Sequence, residues 1–206
     1  ASMSGTSMAS PAVAASAALV RQYLKEQGVA EEGLADLVNR LLMSTATPIV
    51  DEAHDTFYFV RRQGAGLANP AAAMASQAYI QVEGTNKSKF ELGDDPERTG
   101  VYTMDFEVVN FSDGEKTYTL DTAVLGQKAE GGQIRGGKVT YLVYDYARKL
   151  SAAVTSSAAD GRITVPAHAT AQVSVTVTLS DADRAYMDER FPYGAYVEGF
   201  VQLISE

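Results

Sequence analysis

The residues best suited to covalent chemistry stand near the front of the chain, in Gly5-Thr6-Ser7-Met8-Ala9-Ser10-Pro11. A serine at the mouth of a helix lies beside backbone N–H groups that have no partner within the helix. The helix dipole adds partial positive charge at the same end. An oxyanion formed next to Ser7 would meet donors already in place, as acyl transfer through a serine requires. Gly5 leaves room for a substrate backbone to approach closely. The same residues admit a plainer reading: Ser10 followed by Pro11 at the first helical position is a good local start signal, and the serine is then only a cap.

Other reactive groups are scattered. His54 sits in Asp51-Glu52-Ala53-His54-Asp55, and His168 lies between two β-type runs. Each is read as a loop or turn histidine and not as a general base. The letters of residues 51–54 copy a helicase signature, but no glycine-rich loop ending in Gly-Lys-Ser/Thr accompanies them to hold phosphate. Residues 131–137, GGQIRGG, lack dinucleotide-binding spacing and a following helix, and read as a hairpin tip. Asp94, Asp95 and Glu97 are the carboxylates a hard cation wants, yet no spaced ligand loop surrounds them, so they read as a solvated turn. Asp181 and Asp183 read as capping residues. Asn86-Lys87-Ser88 and Asn110-Phe111-Ser112 fit the glycan acceptor pattern and read as unmodified turns. No cofactor and no metal ion are expected.

These groups belong to a chain of 206 residues without cysteine, with a net charge of −9. That length supports one domain or two small ones with a real core. The lack of cysteine removes disulfides and thiolate metal sites. The acidic balance disfavours nucleic acid as a partner. No apolar run reaches the roughly 20 residues needed to span a bilayer, and no signal pattern opens the chain.

The pattern changes character near residue 78. Before it, Val13, Ala17, Val20 and Leu24 predict a helix over 11–27 stopped by Gly28. Leu34, Leu37, Val38, Leu41 and Leu42 predict a second over 33–45. Residues 56–60 read as a short strand. Asn69 and Pro70 read as the cap and first residue of a short helix. After it, seven runs alternate with period two, at 79–83, 102–108, 116–125, 138–144, 162–166, 171–179 and 195–204, with turns such as Asp113-Gly114 between them. Such runs predict a β-sandwich, with one helical insert at 181–190 capped by Ser180 or Asp181.

The full string SGTSMASP (4–11) resembles the nucleophile motif of subtilisin-like serine proteases. NRLLMSTAT (39–47) resembles the penultimate helix of that family, and RQGAGLANPAAAM (62–74) the segment that closes its catalytic domain. FPYGAYVEGFVQL (191–203) carries a likeness to the fibronectin-type-III-like domain that follows the protease domain in lactocepin-type cell-envelope proteinases. Ala12 stands where many relatives have histidine. The resemblance implies an α+β chain: residues 1–78 as the C-terminal helical remnant of an α/β subtilisin-like domain, and residues 79–206 as an all-β fibronectin-type-III-like sandwich. It implies that Ser7 is the nucleophile, with its N–H in the oxyanion hole, and that Gly5 and Thr6 lie near the substrate cleft. The helix then starts near Ser7, and Pro11 leaves one carbonyl without its helical partner.

In that family the aspartate, the histidine base and the oxyanion asparagine all precede the serine. Only six residues precede Ser7 here, and none is His or Asp. The expectation is a fragment of a bacterial extracellular or wall-associated endopeptidase acting on protein or peptide substrates, inactive by itself. A second reading, from another class, makes the sandwich a non-catalytic surface module that binds a ligand. The helix at 11–27 belongs in a protease core. It is expected to find cover against the 33–45 helix and the sandwich, or through self-association with a second copy.

Overall fold

A computed structural model of the chain describes residues 5–82, 84, 85, 87–135 and 138–206. Ser4 of the opening motif, Glu83 of the run at 79–83, Asn86 of the first glycan-type triplet and Gly136-Gly137 of the hairpin tip lie outside the described residues.

Helix α1 (Thr6–Glu26) begins earlier than its apolar spacing predicts and runs through Pro11. It stops as expected at Gly28, whose φ of 81° suits glycine. The N–H of Gly28 reaches the Lys25 carbonyl and that of Val29 the Leu24 carbonyl, both at 3.0 Å, which is the Schellman arrangement. Helix α2 (Leu34–Ser44) then folds back. Val20 and Leu24 of α1 are buried against Leu34, Val38, Leu41 and Leu42 of α2 and against Ala73. Fully burying each such side chain contributes about 1.5–3 kcal/mol. Tyr79 and Phe111, from the following β region, close this core from the other side.

The run at 56–60 departs from expectation. Only Thr56–Phe57 (β2) is extended, paired with Val50–Asp51 (β1), and the chain then turns into a short helix, α3 (Val60–Gln63). The reason lies in Phe59, which leaves the strand to fill a core with Leu125 and Ala147. Helix α4 (Pro70–Ser76) starts as predicted, with Asn69 Oδ1 accepting from the Ala72 N–H at 3.0 Å.

The rest forms two antiparallel sheets. One has the order β3 (Ala78–Gln81), β4 (Val101–Asn110), β9 (Thr170–Leu179), β7 (Ala152–Ser156). The other centres on β5 (Lys116–Arg135). It has β10 (Val197–Ser205) along one side, and β8 (Arg162–Val165) and β6 (Lys138–Lys149) along the other. Phe106, Val108, Val173, Val175 and Val177 from the first sheet meet Ile163 and Val165 from the second. This apolar interior between sheets makes the region a sandwich. Strands β5 and β6 run well past the predicted 125 and 144, and β7 has no counterpart among the predicted runs. Helix α5 (Asp181–Arg190) follows β9, and its cap is Ser180, whose Oγ accepts from the Asp183 N–H at 3.2 Å.

Candidate active site

Ser7 is the second residue of α1. Gly5 precedes the helix with φ 156° and ψ 169°, a combination close to exclusive to glycine. Among the described residues, none beyond its chain neighbours comes within 4 Å of where a Cβ would stand, so the backbone and not crowding demands glycine here. The N–H groups of Met8 and Ala9 both turn back to the Gly5 carbonyl, at 2.9 and 3.1 Å. Those of Thr6 and Ser7 find no acceptor among the described residues. The positive end of a 21-residue helix thus keeps two N–H groups unengaged by the described residues, which is the electrostatic provision an oxyanion needs. Pro11 has no N–H, so the carbonyl deprived of its helical donor is that of Ser7 itself.

This end of α1 is uncovered. Residues 5–15 are all exposed, and Val13 retains 50% of its surface. The buried part of the helix begins only at Val20. The expected cover from α2 therefore reaches the second half of the helix and leaves the half that carries Ser7 bare.

Neither histidine is aimed at Ser7. His54 Nδ1 pairs with Asp51 Oδ2 at 2.9 Å, and the imidazole stacks on Tyr146 of β6. His168 Nε2 pairs with Asp113 Oδ1 at 2.8 Å on an exposed turn. His54 is thus more than a loop residue, since it fastens the β1–β2 turn to the sandwich. Nothing in the sequence marked Tyr146 as its neighbour.

The acidic residues are also accounted for. Asp95 Oδ2 accepts from the Gly100 N–H at 2.9 Å, and Oδ1 accepts from the Thr99 N–H at 3.0 Å. These donors, Gly100 first, hold its carboxyl below the ordinary value of 3.8. It organises the turn into β4. Asp183 corrects the capping assignment. It is 2% exposed, accepts from the Ser151 N–H at 2.6 Å and pairs with Arg148 of β6, so it anchors α5 to the sheet. Asn110 is 1% exposed, and its amide is consumed within the fold. Nδ2 donates to the carbonyls of Gly114, Val165 and Pro166, while Oδ1 accepts from the Ser112 N–H and hydroxyl. Among the described residues no three His, Cys, Asp or Glu side chains are grouped to hold a metal ion, and no helix is long and apolar enough to cross a membrane.

A helical segment with a serine in its first turn, joined to an antiparallel sandwich, defines a two-part chain, and comparison with known proteins puts a family to each part. Through residues 90–206 the chain belongs to the Fn3-like domain family, and residues 1–66 match the subtilase family. The relatives are peptidases. The chain is 28% identical over 207 residues to the C5a peptidase of Streptococcus pyogenes, covering 98% of this chain and 16% of that protein. It is 30% identical over 224 residues to the PII-type proteinase of Lacticaseibacillus paracasei and to the PI-type proteinase of Lactococcus lactis subsp. cremoris, covering 98% of this chain and 10% of each. The chain therefore spans a small part of the length of the relatives it matches. A solved structure, a PapD-like domain of human CEP192, is similar at 12% identity with a TM-score of 0.27, too slight a likeness to bear on the fold.

Proposed function

We propose that this chain is the C-terminal part of the catalytic domain of a subtilisin-like serine endopeptidase, together with its adjoining Fn3-like sandwich, and that Ser7 is the nucleophile. Ser7 Oγ attacks a peptide carbonyl carbon and gives up its proton to a histidine. The carbonyl oxygen becomes an oxyanion facing the Ser7 N–H. The C–N bond then breaks as the histidine returns the proton to the leaving amine, which leaves an acyl-enzyme for water to hydrolyse. Gly5 and Thr6 line the cleft beside the scissile bond.

The observation that supports this reading is the place of Ser7 in the first turn of α1, within the string SGTSMASP, where its N–H meets no acceptor among the described residues. His54 and His168 are engaged by carboxylates elsewhere. The base, its orienting aspartate and the second oxyanion donor are supplied by the rest of a longer, extracellular and surface-associated protein. The 206 residues alone are then inactive.

A fluorophosphonate probe tests this. The longer protein is labelled at Ser7, the label is lost in Ser7→Ala, and the 206-residue chain is not labelled. Rapid stoichiometric labelling of the short chain overturns the inactivity. Failure to label the folded, fully processed longer protein overturns the enzyme reading and favours a binding role for the sandwich.

A further inference from the structure

We propose that Asp113-Gly114 is a self-modifying site, at which the Gly114 nitrogen closes on the Asp113 carboxyl with His168 as proton donor and leaves an isoaspartyl link in the chain. Both residues sit in the turn between β4 of one sheet and β5 of the other. Glycine brings no Cβ to shield its nitrogen. Among the described residues, none beyond its chain neighbours comes within 4 Å of where a Cβ of Gly114 would stand. The Gly114 N–H meets no acceptor among the described residues. The Asp113 side chain is fully exposed. Its carboxyl has one partner among the described residues, the His168 imidazole, with Nε2 2.8 Å from Oδ1.

The fold delivers His168 to this carboxyl. Its N–H donates to the Ser112 carbonyl at 3.2 Å, and its backbone is left-handed, with φ 53°, a region histidine enters more readily than most residues. On the far side of the turn the Gly114 carbonyl accepts from Asn110 Nδ2 at 2.8 Å and from Ser112 Oγ at 3.0 Å. Nucleophile, carboxyl and proton donor are thus gathered by contacts made elsewhere in the fold, which lowers the entropic cost of bringing them together. The chain holds a second Asp-Gly pair, Asp160-Gly161, built differently. There the glycine N–H is engaged by the Ala158 carbonyl at 3.3 Å, and the Asp160 carboxyl has no proton donor among the described residues.

In the first step the Gly114 nitrogen attacks Cγ of Asp113 and closes a five-membered succinimide. The Cγ–Oδ1 bond breaks, and Oδ1 leaves as water with one proton from the His168 imidazolium and one from the Gly114 nitrogen. In the second step water adds to the main-chain carbonyl carbon of Asp113, and the bond from that carbon to the Gly114 nitrogen breaks. The nitrogen regains its hydrogen from that water. The new main-chain carboxyl gives its proton back to His168. Atoms and charge are unchanged overall, and no oxidant or cofactor enters. The chain then runs through Cβ and Cγ of residue 113 and is one carbon longer between Ser112 and Gly114.

The two Asp-Gly pairs test this within one molecule. The 206-residue chain is held for weeks at physiological temperature and neutral pH, then cut with trypsin. Isoaspartate is measured in the tryptic peptides 99–116 and 150–162 by methyl transfer from an isoaspartyl methyltransferase and by chromatography of the equal-mass isomers. In the folded chain position 113 converts about tenfold or more faster than position 160, and in concentrated urea the two rates converge. His168→Gln keeps a hydrogen-bond donor but cannot give up a proton, and it slows conversion at 113 by about tenfold with no effect at 160. Circular dichroism confirms that the variant is folded, and the comparison in urea needs no substitution at all. Equal rates in the folded chain, or no isoaspartate at 113, overturn the proposal. So does a lead at 113 that persists in urea, which makes the effect one of local sequence, and so does a rate at 113 that His168→Gln leaves unchanged or raises.

Discussion

The imidazole of His54 lies flat on the ring of Tyr146, with centroids 3.6 Å apart and planes 10° apart. The stack joins the β1–β2 turn to a strand of the sandwich. Around it, Lys149 pairs with Asp55, Arg62 with Asp145 and Arg61 with Glu198, over a core built on Phe57, Phe59 and Phe200. Tyr146→Leu keeps the bulk but removes the stack. It is expected to lower stability by about 1 kcal/mol, read as a fall in Tm of roughly 2–4 °C for a chain of this size.

Asp183 is the buried charge of the sandwich. Asp183→Ala strands the Ser151 N–H and the Arg148 guanidinium together. Losing one partner of a fully buried pair costs upward of about 3 kcal/mol, and because Arg148 keeps 33% of its side chain in water the loss here is expected at about that lower end. The urea midpoint should drop sharply while the slope of the transition stays the same.

Asp95 makes the stability of the turn before β4 depend on pH. The Gly100 and Thr99 N–H groups favour its ionised form and depress its carboxyl. A depressed acid contributes stability above its unfolded value of about 3.9 and loses it as pH falls through the lower folded value. In thermal melts from pH 7 down to pH 3, Asp95→Ala should lie below the parent at pH 7, and the gap should narrow toward the acid end. A constant gap would contradict this assignment.

Asn110 fits a glycan acceptor triplet but has no free amide. Expression in a glycosylating host should give a chain whose mass shows no sugar at this residue. Asn110→Ala leaves buried carbonyls without donors and is expected to cost about 2–4 kcal/mol by chemical denaturation.

Gly5→Ala probes the mouth of α1. Alanine cannot adopt φ 156°, ψ 169° without strain of about 1–3 kcal/mol. Because the segment is exposed, the chain's Tm should hardly move. Fluorophosphonate labelling of Ser7 in the longer protein should slow by about tenfold or more as the first turn reorients. Full-rate labelling would contradict a positioning role for this glycine.

The parts of this molecule legible in its sequence are those decided by neighbours in the chain. Gly28 ends α1, and Asn69 with Pro70 opens α4, because capping involves residues three or four positions apart. Ser7 stands out for the same reason, in a contiguous string, although only the geometry shows that its N–H meets no acceptor among the described residues. What stayed hidden depends on distant partners. Asp183 has the address of a first-turn acid, but Arg148 draws it inward. Phe59 looks like a strand residue until Leu125 and Ala147 offer it a core. The far half of β5 is hidden because Gly131, Gly132 and the register shifts nearby break the alternation, and that of β6 because Asp145, Arg148 and Lys149 interrupt its apolar run. Strand β7 is short and mostly exposed, so it bears no apolar face to read.

Strand β5 holds β8 and β6 on one side and β10 on the other, and the Glu206 N–H closes onto the Thr117 carbonyl at 3.1 Å. A ribosome releases β5 and β6 long before β10, so the nascent sheet waits half-built. During that interval the flank of β5 reserved for β10 is open to any passing strand, and a pause in translation before residue 197 would prolong its vulnerability.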